Sequence, residues 1–274
     1  MQNATIMQRD IETTSKRLLA HVSKGIATVE INTPERRNCI DLATWKAISE
    51  LFTALDTDQD VRVVVLKGRG DLAFSTGADI AEFDTERATA DGSRAYEIEN
   101  VRAFEAVSNV GKPVVAVIHG FCFGAGVGLA AACDMRLASD DAVFAVPAAV
   151  LGVAYPPTAM ASLVALMGPE AVKRLFFTGQ RLDAAQALAL GLVGEVVSKS
   201  ALNETALDLA GKIAAGAPLT ILAAKKAIDA AARLAGSYSA EHLQVLADAC
   251  FQSEDYAEGR AAFKDKRKPL FLGR

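Results

Sequence analysis

The sequence predicts an α/β fold that becomes wholly helical toward its C-terminus. Two observations predict it. Short apolar runs ended by glycine alternate with segments whose apolar residues recur at helical spacing, the pattern of helices packed on a largely parallel sheet. From about Ser200 the short runs stop, and helix-like segments follow one another between Gly, Pro and Ser breaks. With 274 residues, 51% of them hydrophobic and 23% charged, the chain has ample material for a packed core.

In chain order, residues 1–16 read as an extension before the fold. "RLLAHVSKGIATVEIN" (17–32) alternates apolar and polar residues around Ser23-Lys24-Gly25 and reads as a β-hairpin. "DLATWKAISELFTALDTD" (41–58) places Leu42, Trp45, Ile48, Leu51, Phe52 and Leu55 on one helical face. "VRVVVLKG" (61–68) and "KPVVAVIHG" (112–120) are buried strands closed by glycine, and Gly124 to Ala132 reads as a close-packed helix. "DMRLAS" and "AVFAVP" supply two more short strands. "ALNETALDLAGKIAAG", "PLTILAAKKAIDAAARLAG" and "SAEHLQVLADACFQ" are successive helices. The core is therefore expected over 17–200 and a helical region over 201–274. No internal repeat is visible.

A net charge of −4 gives no basic footprint for nucleic acid, and "KDKRK" (264–268) reads as a solvated end. Cys39, Cys122, Cys133 and Cys250 form no CxxC pair, so neither a metal site nor a disulfide framework is expected. The N-terminus lacks an apolar signal core, and no apolar stretch is long enough to span a bilayer. A cytoplasmic protein without membrane partners is the expectation.

Two glycine-rich turns are the best candidates for chemistry: "FSTGADI" (74–80) and "HGFCFGAGVGLAAACD" (119–134). Each follows a strand and is read as opening a helix, whose free N–H groups suit an anionic oxygen. The second turn fails as a dinucleotide fingerprint, because Gly124 and Gly126 are followed by Leu129 where a third glycine is needed. It also lacks the Gly-Lys-Ser/Thr of a phosphate loop. Taken alone, its glycines would do no more than let a helix pack closely on a sheet.

Together with "FFTGQRLDAAQALALGLVGEVV" and "EGRAAFKDKRKPLF", however, the two turns stand in an order that resembles the crotonase superfamily, the enoyl-CoA hydratase/isomerase proteins, from about Leu18 to Phe271. The resemblance implies a crotonase-like spiral of ββα units with a C-terminal helical trimerisation region, assembled as a homotrimer or a dimer of trimers. It implies a coenzyme A thioester as ligand and no separate cofactor. It also implies that the amides of Ala78, after Gly77, and of Ala125, after Gly124, hold the thioester carbonyl. Thr76, Asp79 and Ile80 match the stretch that lines the adenine pocket. Arg36 and Arg37 match a loop beside the nucleotide. Phe263 and Lys266 match C-terminal residues near the acyl and phosphate portions.

The same comparison shows what is missing. The two hydratase glutamates fall at Gly128 and Ala148, and the aspartate of other relatives falls at Pro156. Each positioned acid or base is worth about 10²–10⁴-fold, so poor hydration is expected. Tyr155 is the one side chain in "AVPAAVLGVAYPP" (145–157) able to move a proton, either as an acid or, in a plainer role, as a donor to a backbone carbonyl. His119, Cys122, Asp134 and the acids Glu82, Asp84 and Glu86 are further candidates, for each of which a structural role is favoured. The rival to an enolate-stabilising enzyme is a non-catalytic CoA-thioester binder or scaffold.

Overall fold

Successive turns of the chain lay one strand in each of two sheets and follow them with a helix. The computed structural model describes residues 8–232 apart from Gly152 and Ala154, then residues 245, 248–249 and 252–274. The larger sheet holds, in spatial order, β1 (Arg9–Ile11), β2 (Leu18–Ser23), β3 (Ile26–Ile31), β4 (Val63–Gly68), β6 (Val114–Ile118), β8 (Met135–Ser139) and β11 (Glu195–Val197). From β3 onward its neighbours are parallel. The smaller sheet runs β10 (Arg181–Asp183), β9 (Val143–Ala145), β7 (Phe121–Phe123), β5 (Ala73–Ser75). The units β4-β5-α2 (Ala90–Asn109) and β6-β7-α3 (Ala125–Ala131) make the spiral explicit.

Local chemistry accounts for the elements. The β2–β3 hairpin turns on Lys24 and Gly25, both at positive φ, as a two-residue hairpin turn requires. Helix α1 (Leu42–Thr57) starts at Asp41, whose side chain accepts from the Thr44 amide at 2.8 Å. Its Trp45, Ile48, Leu51, Phe52 and Leu55 are buried, as the periodicity predicts.

Strand β4 is buried on both faces. Val64 and Leu66 join the core shared with α1, α2 and α3, while Val63 and Val65 meet Leu202, Ala206 and Ala210 of α7 (Leu202–Ala214). This two-sided burial is why such strands read as unbroken apolar runs. Helix α7 thus closes the sheet, and α8 (Pro218–Ala231) follows it. No single described helix is long and apolar enough to cross a membrane.

The structure corrects the reading of the first glycine turn. "FSTGADI" opens only a short 3-10 helix, Ile80–Asp84, because the Asp79 carboxylate caps Ala81 while the chain bends back. The apolar segment 145–157 contains the short helix α4 (Ala148–Leu151) and leads into α5 (Pro157–Thr178), which is kinked at Gly168-Pro169. After β10 comes α6 (Ala184–Ala189), started by an Asp183–Gln186 capping box. The last described helix, α9, is Glu254–Lys264. Most of the expected helix "SAEHLQVLADACFQ", Cys250 included, lies outside the described residues.

Candidate active site

The first turn is pinned from below. Asn38, buried and at positive φ, donates to the Ala73 carbonyl and accepts from the Thr33 amide. The Ser75 hydroxyl donates to the Asn38 carbonyl and accepts from the Gly77 amide. The Ile40 amide donates to Gly77 O at 2.8 Å, and the Asp79 amide donates to Ile40 O at 3.0 Å. This is a parallel bridge between Ile40 and Ala78. In such a bridge the central residue's own N–H faces away from the partner strand, so the Ala78 amide is turned from Ile40.

The second turn meets the first. Gly124, at φ +51°, precedes α3, and Ala125 is the first helical residue, whose N–H has no acceptor within the helix. A Cβ on Gly77 would stand 2.6 Å from the Ala125 nitrogen and 2.9 Å from Phe123 O. A Cβ on Gly126 would meet Ser75 O at 2.5 Å. These contacts tolerate only glycine, and they fix the Ala125 amide beside the turn that carries Ala78.

Both Ala78 and Ala125 line a cavity of about 650 Å³. One wall is the run singled out in the sequence: Val146, Pro147, Ala148, Val153, Tyr155 and Pro156. Its only ionisable group is the phenol. Tyr155 donates to Gly124 O at 2.9 Å and packs edge-on against Phe176. Burial pushes its phenol above the ordinary range, so the group is a protonated donor at neutral pH. Gly124 O belongs to the same peptide group as the Ala125 N–H. Gly128 lies directly beneath: a Cβ there would stand 2.6 Å from the Tyr155 hydroxyl and 2.9 Å from Phe104 Cζ.

Other sequence-derived candidates sort as follows. Arg36, Arg37, Thr76, Asp79 and Ile80 border the same cavity. Arg36 is ion-paired with Asp79, which Arg17 also approaches. Burial works against the charge on Asp79, but the Ala81 amide and both arginines outweigh it and hold the carboxyl below the usual range. The Arg37 guanidinium sits 5.3 Å above the Phe121 ring, and Ile80 is exposed. Lys266 is exposed at positive φ and does not line the cavity. Phe263 belongs to α9, with its side chain outside the described residues.

The remaining nucleophiles and acids have structural surroundings. Cys122 is wholly buried, and burial raises its thiol pKa; Cys39, which lines the cavity, is pushed up to about 11 by burial and by Asp79. Glu82 accepts from the Leu42 amide at the start of α1, while Asp84 and Glu86 are exposed. His119 is buried beside β6 with Nε2 unpartnered among the described residues. Asp134 accepts from the Val114 amide and from Lys225, bracing the core.

Sequence reasoning missed one wall. Tyr96, Glu97 and Asn100 of α2 also line the cavity. Their signal was a polar Asn in register with buried Tyr96, Ala103, Phe104 and Val107. Among the described residues, no group of three or more His, Cys, Asp and Glu side chains could hold a metal ion.

Comparison with known proteins identifies the family and the fold. The family profile described as enoyl-CoA hydratase/isomerase matches residues 21–274. The short-chain-enoyl-CoA hydratase of Clostridium acetobutylicum is 34% identical over 243 residues, covering 89% of this chain and 92% of its own. The carnitinyl-CoA dehydratase of Citrobacter koseri is 32% identical, covering 87% and 92%. A crystal structure of an enoyl-CoA hydratase/carnithine racemase from Magnetospirillum magneticum superposes with a TM-score of 0.88 at 36% identity, covering 96% of this chain and 97% of that one.

Proposed function

The chain belongs to the enoyl-CoA hydratase/isomerase family, and from that premise we propose that it holds an acyl-CoA thioester with the carbonyl oxygen between the Ala78 and Ala125 amides. The observation that carries this reading is the contact of Gly77 with the Ala125 nitrogen, which brings the two turns together at one cavity. As a thioester becomes enolate-like, negative charge grows on its oxygen, and fixed donors stabilise that state most. One such donor is worth about 2.7–4 kcal/mol of barrier. Tyr155 serves as a positioning residue: by donating to Gly124 O it orients the peptide that offers the Ala125 N–H.

Classical hydration fits poorly. The positions aligned with the hydratase glutamates are Gly128 and Ala148, and Pro156 has no N–H with which to hold a water. Reactions that draw mainly on carbonyl polarisation, such as decarboxylation or a proton shift, suit the site better. The apolar wall favours the second reading, a CoA-thioester binder without turnover. In either case Arg37 serves the phosphates, Thr76, Asp79 and Ile80 border the adenine, and the 201–274 region joins subunits into a trimer or a dimer of trimers, in which Lys266 reaches the phosphates across a subunit boundary.

Ala125→Pro tests the proposal, because proline is tolerated at a first helical position yet removes the N–H. A β-ketoacyl-CoA, whose enolate absorbs in the ultraviolet, should show an enolate band on the native protein. That band should fall at least about tenfold with the variant while circular dichroism is retained. An unchanged band defeats the reading, as does crotonyl-CoA hydration with kcat above roughly 10 s⁻¹ for the expectation of poor hydration.

A further inference from the structure

Each of the two turns has a phenol behind it. Tyr155 serves the second turn by donating to Gly124 O. Tyr96, buried on α2, stands in a similar relation to the first: its hydroxyl donates to Ile40 O at 3.0 Å. Ile40 is the residue bridged to Ala78. Its N–H donates to Gly77 O, the carbonyl of the same peptide group that carries the Ala78 N–H, and its own carbonyl accepts the Asp79 amide. Both lone pairs of Ile40 O are thereby used, one by the turn and one by the phenol.

The phenol is itself held in place. Trp45 Nε1 donates to its oxygen at 3.2 Å, and the Arg87 guanidinium lies 4.9 Å from the centre of its ring. Trp45 packs edge-on against Phe104, which lies beside Gly128, so the supports of both turns meet in one buried cluster. Burial, and then the charge on Glu82, keep the phenol protonated and able to donate. The bridge it supports is an isolated pair, with no neighbouring pair in register to stiffen it. The direction of the Ile40 carbonyl therefore rests on the hydrogen bonds made at that one residue, and the peptide of Ala78 turns with it.

We propose that Tyr96 is a positioning residue for the Ala78 amide: by fixing the Ile40 carbonyl it keeps that N–H aimed at the thioester oxygen. The inference rests on the acyl-CoA reading above and names what holds the first of its two donors. A prearranged donor counts most where negative charge develops. The effect of Tyr96 therefore falls on enolate formation and not on the affinity for a resting thioester.

The test uses the full chain with acetoacetyl-CoA, whose enolate absorbs in the ultraviolet, and with butyryl-CoA as a resting thioester. In Tyr96→Phe the enolisation constant of bound acetoacetyl-CoA, read from the pH dependence of the band, should fall about threefold or more. The dissociation constant for butyryl-CoA should change by less than about twofold. Site-specific 3-fluorotyrosine at position 96 is nearly isosteric and a stronger donor, so it should raise the enolisation constant in a chain that folds as the native one does. Glu82→Gln removes the charge beside the phenol but keeps a carbonyl for the Leu42 amide, and the band should be retained. No shift with either change at position 96 overturns the proposal. So does an equal weakening of butyryl-CoA, or a fall in Glu82→Gln that matches Tyr96→Phe. In each of these outcomes an enolate band that Ala125→Pro removes leaves the acyl-CoA reading standing. Absence of any enolate on the native protein overturns that reading and this inference with it.

Discussion

Gly128 and Tyr155 occupy the same few ångströms, and each explains the other. The phenol sits where a side chain at 128 would begin, and Phe104 closes the remaining space. Restoring a glutamate by Gly128→Glu should therefore not restore hydration. It should lower stability by about 1–3 kcal/mol through overpacking, read as a lower melting temperature, with no gain in crotonyl-CoA turnover. Pairing it with Tyr155→Ala should recover part of the stability. Full stability in the single variant would mean that the phenol moves aside freely. Tyr155→Phe, which keeps the ring and removes the donor, should cost about 0.5–1.5 kcal/mol of stability and weaken the enolate band of a bound β-ketoacyl-CoA. At this scale the sequence was legible for location where a motif fixed the register: Ala78 and Ala125 line one cavity, and Gly128 lies against Tyr155. Glu97 and Asn100 were not legible, because their place depends on how α2 crosses the cavity.

Among the elements, α1 and β4 were readable because burial writes itself into periodicity: one stripe for the helix, two buried faces for the strand. The first glycine turn misled because its approach resembles a helix start, whereas the Ile40 bridge and the Asp79 cap hold a bent backbone there. In the proposed function its donor is presented by the bridge, which turns the Ala78 N–H away from Ile40, rather than by a helix dipole. The ββα repetition left no repeat in the sequence, since each unit packs different residues against the shared core. Helix α1 allows a direct check of this local logic. Asp41 caps Thr44 and also pairs with Arg17 at 2.9 Å. Asp41→Ala should cost about 1 kcal/mol, mostly through the lost cap, and Asp41→Asn should lose much less because asparagine caps nearly as well. Chemical denaturation of both variants separates the cap from the ion pair: equal losses would assign the effect to the charge.

For the whole molecule, acid is the informative stress, because several groups bind protons less readily folded than unfolded. His119 is held below its ordinary pKa by burial and then by Lys199. The unfolded chain therefore takes up that proton first, so the His119 contribution is complete above about pH 6.5 and drains away as the pH falls below it. Asp79 and Asp141 are also held low: burial opposes their charge, and it is outweighed by the Ala81 amide and the arginines at Asp79 and by Lys199, the Ser139 hydroxyl and the Gly120 amide at Asp141. Their contribution is complete above about pH 4 and is lost on further acidification. Both stages slope the same way, so stability should fall in two steps with a gentler span between them. His119→Gln should flatten the upper step and leave the lower one, because the aspartates lie on other loops and keep their partners: Arg17 and Arg36 for Asp79, Ser139 and Lys199 for Asp141. Urea midpoints at pH 7.5, 5.5 and 4.0 give the measurement. An upper step of undiminished size in His119→Gln would assign that proton to another group and leave the buried imidazole without effect on acid stability.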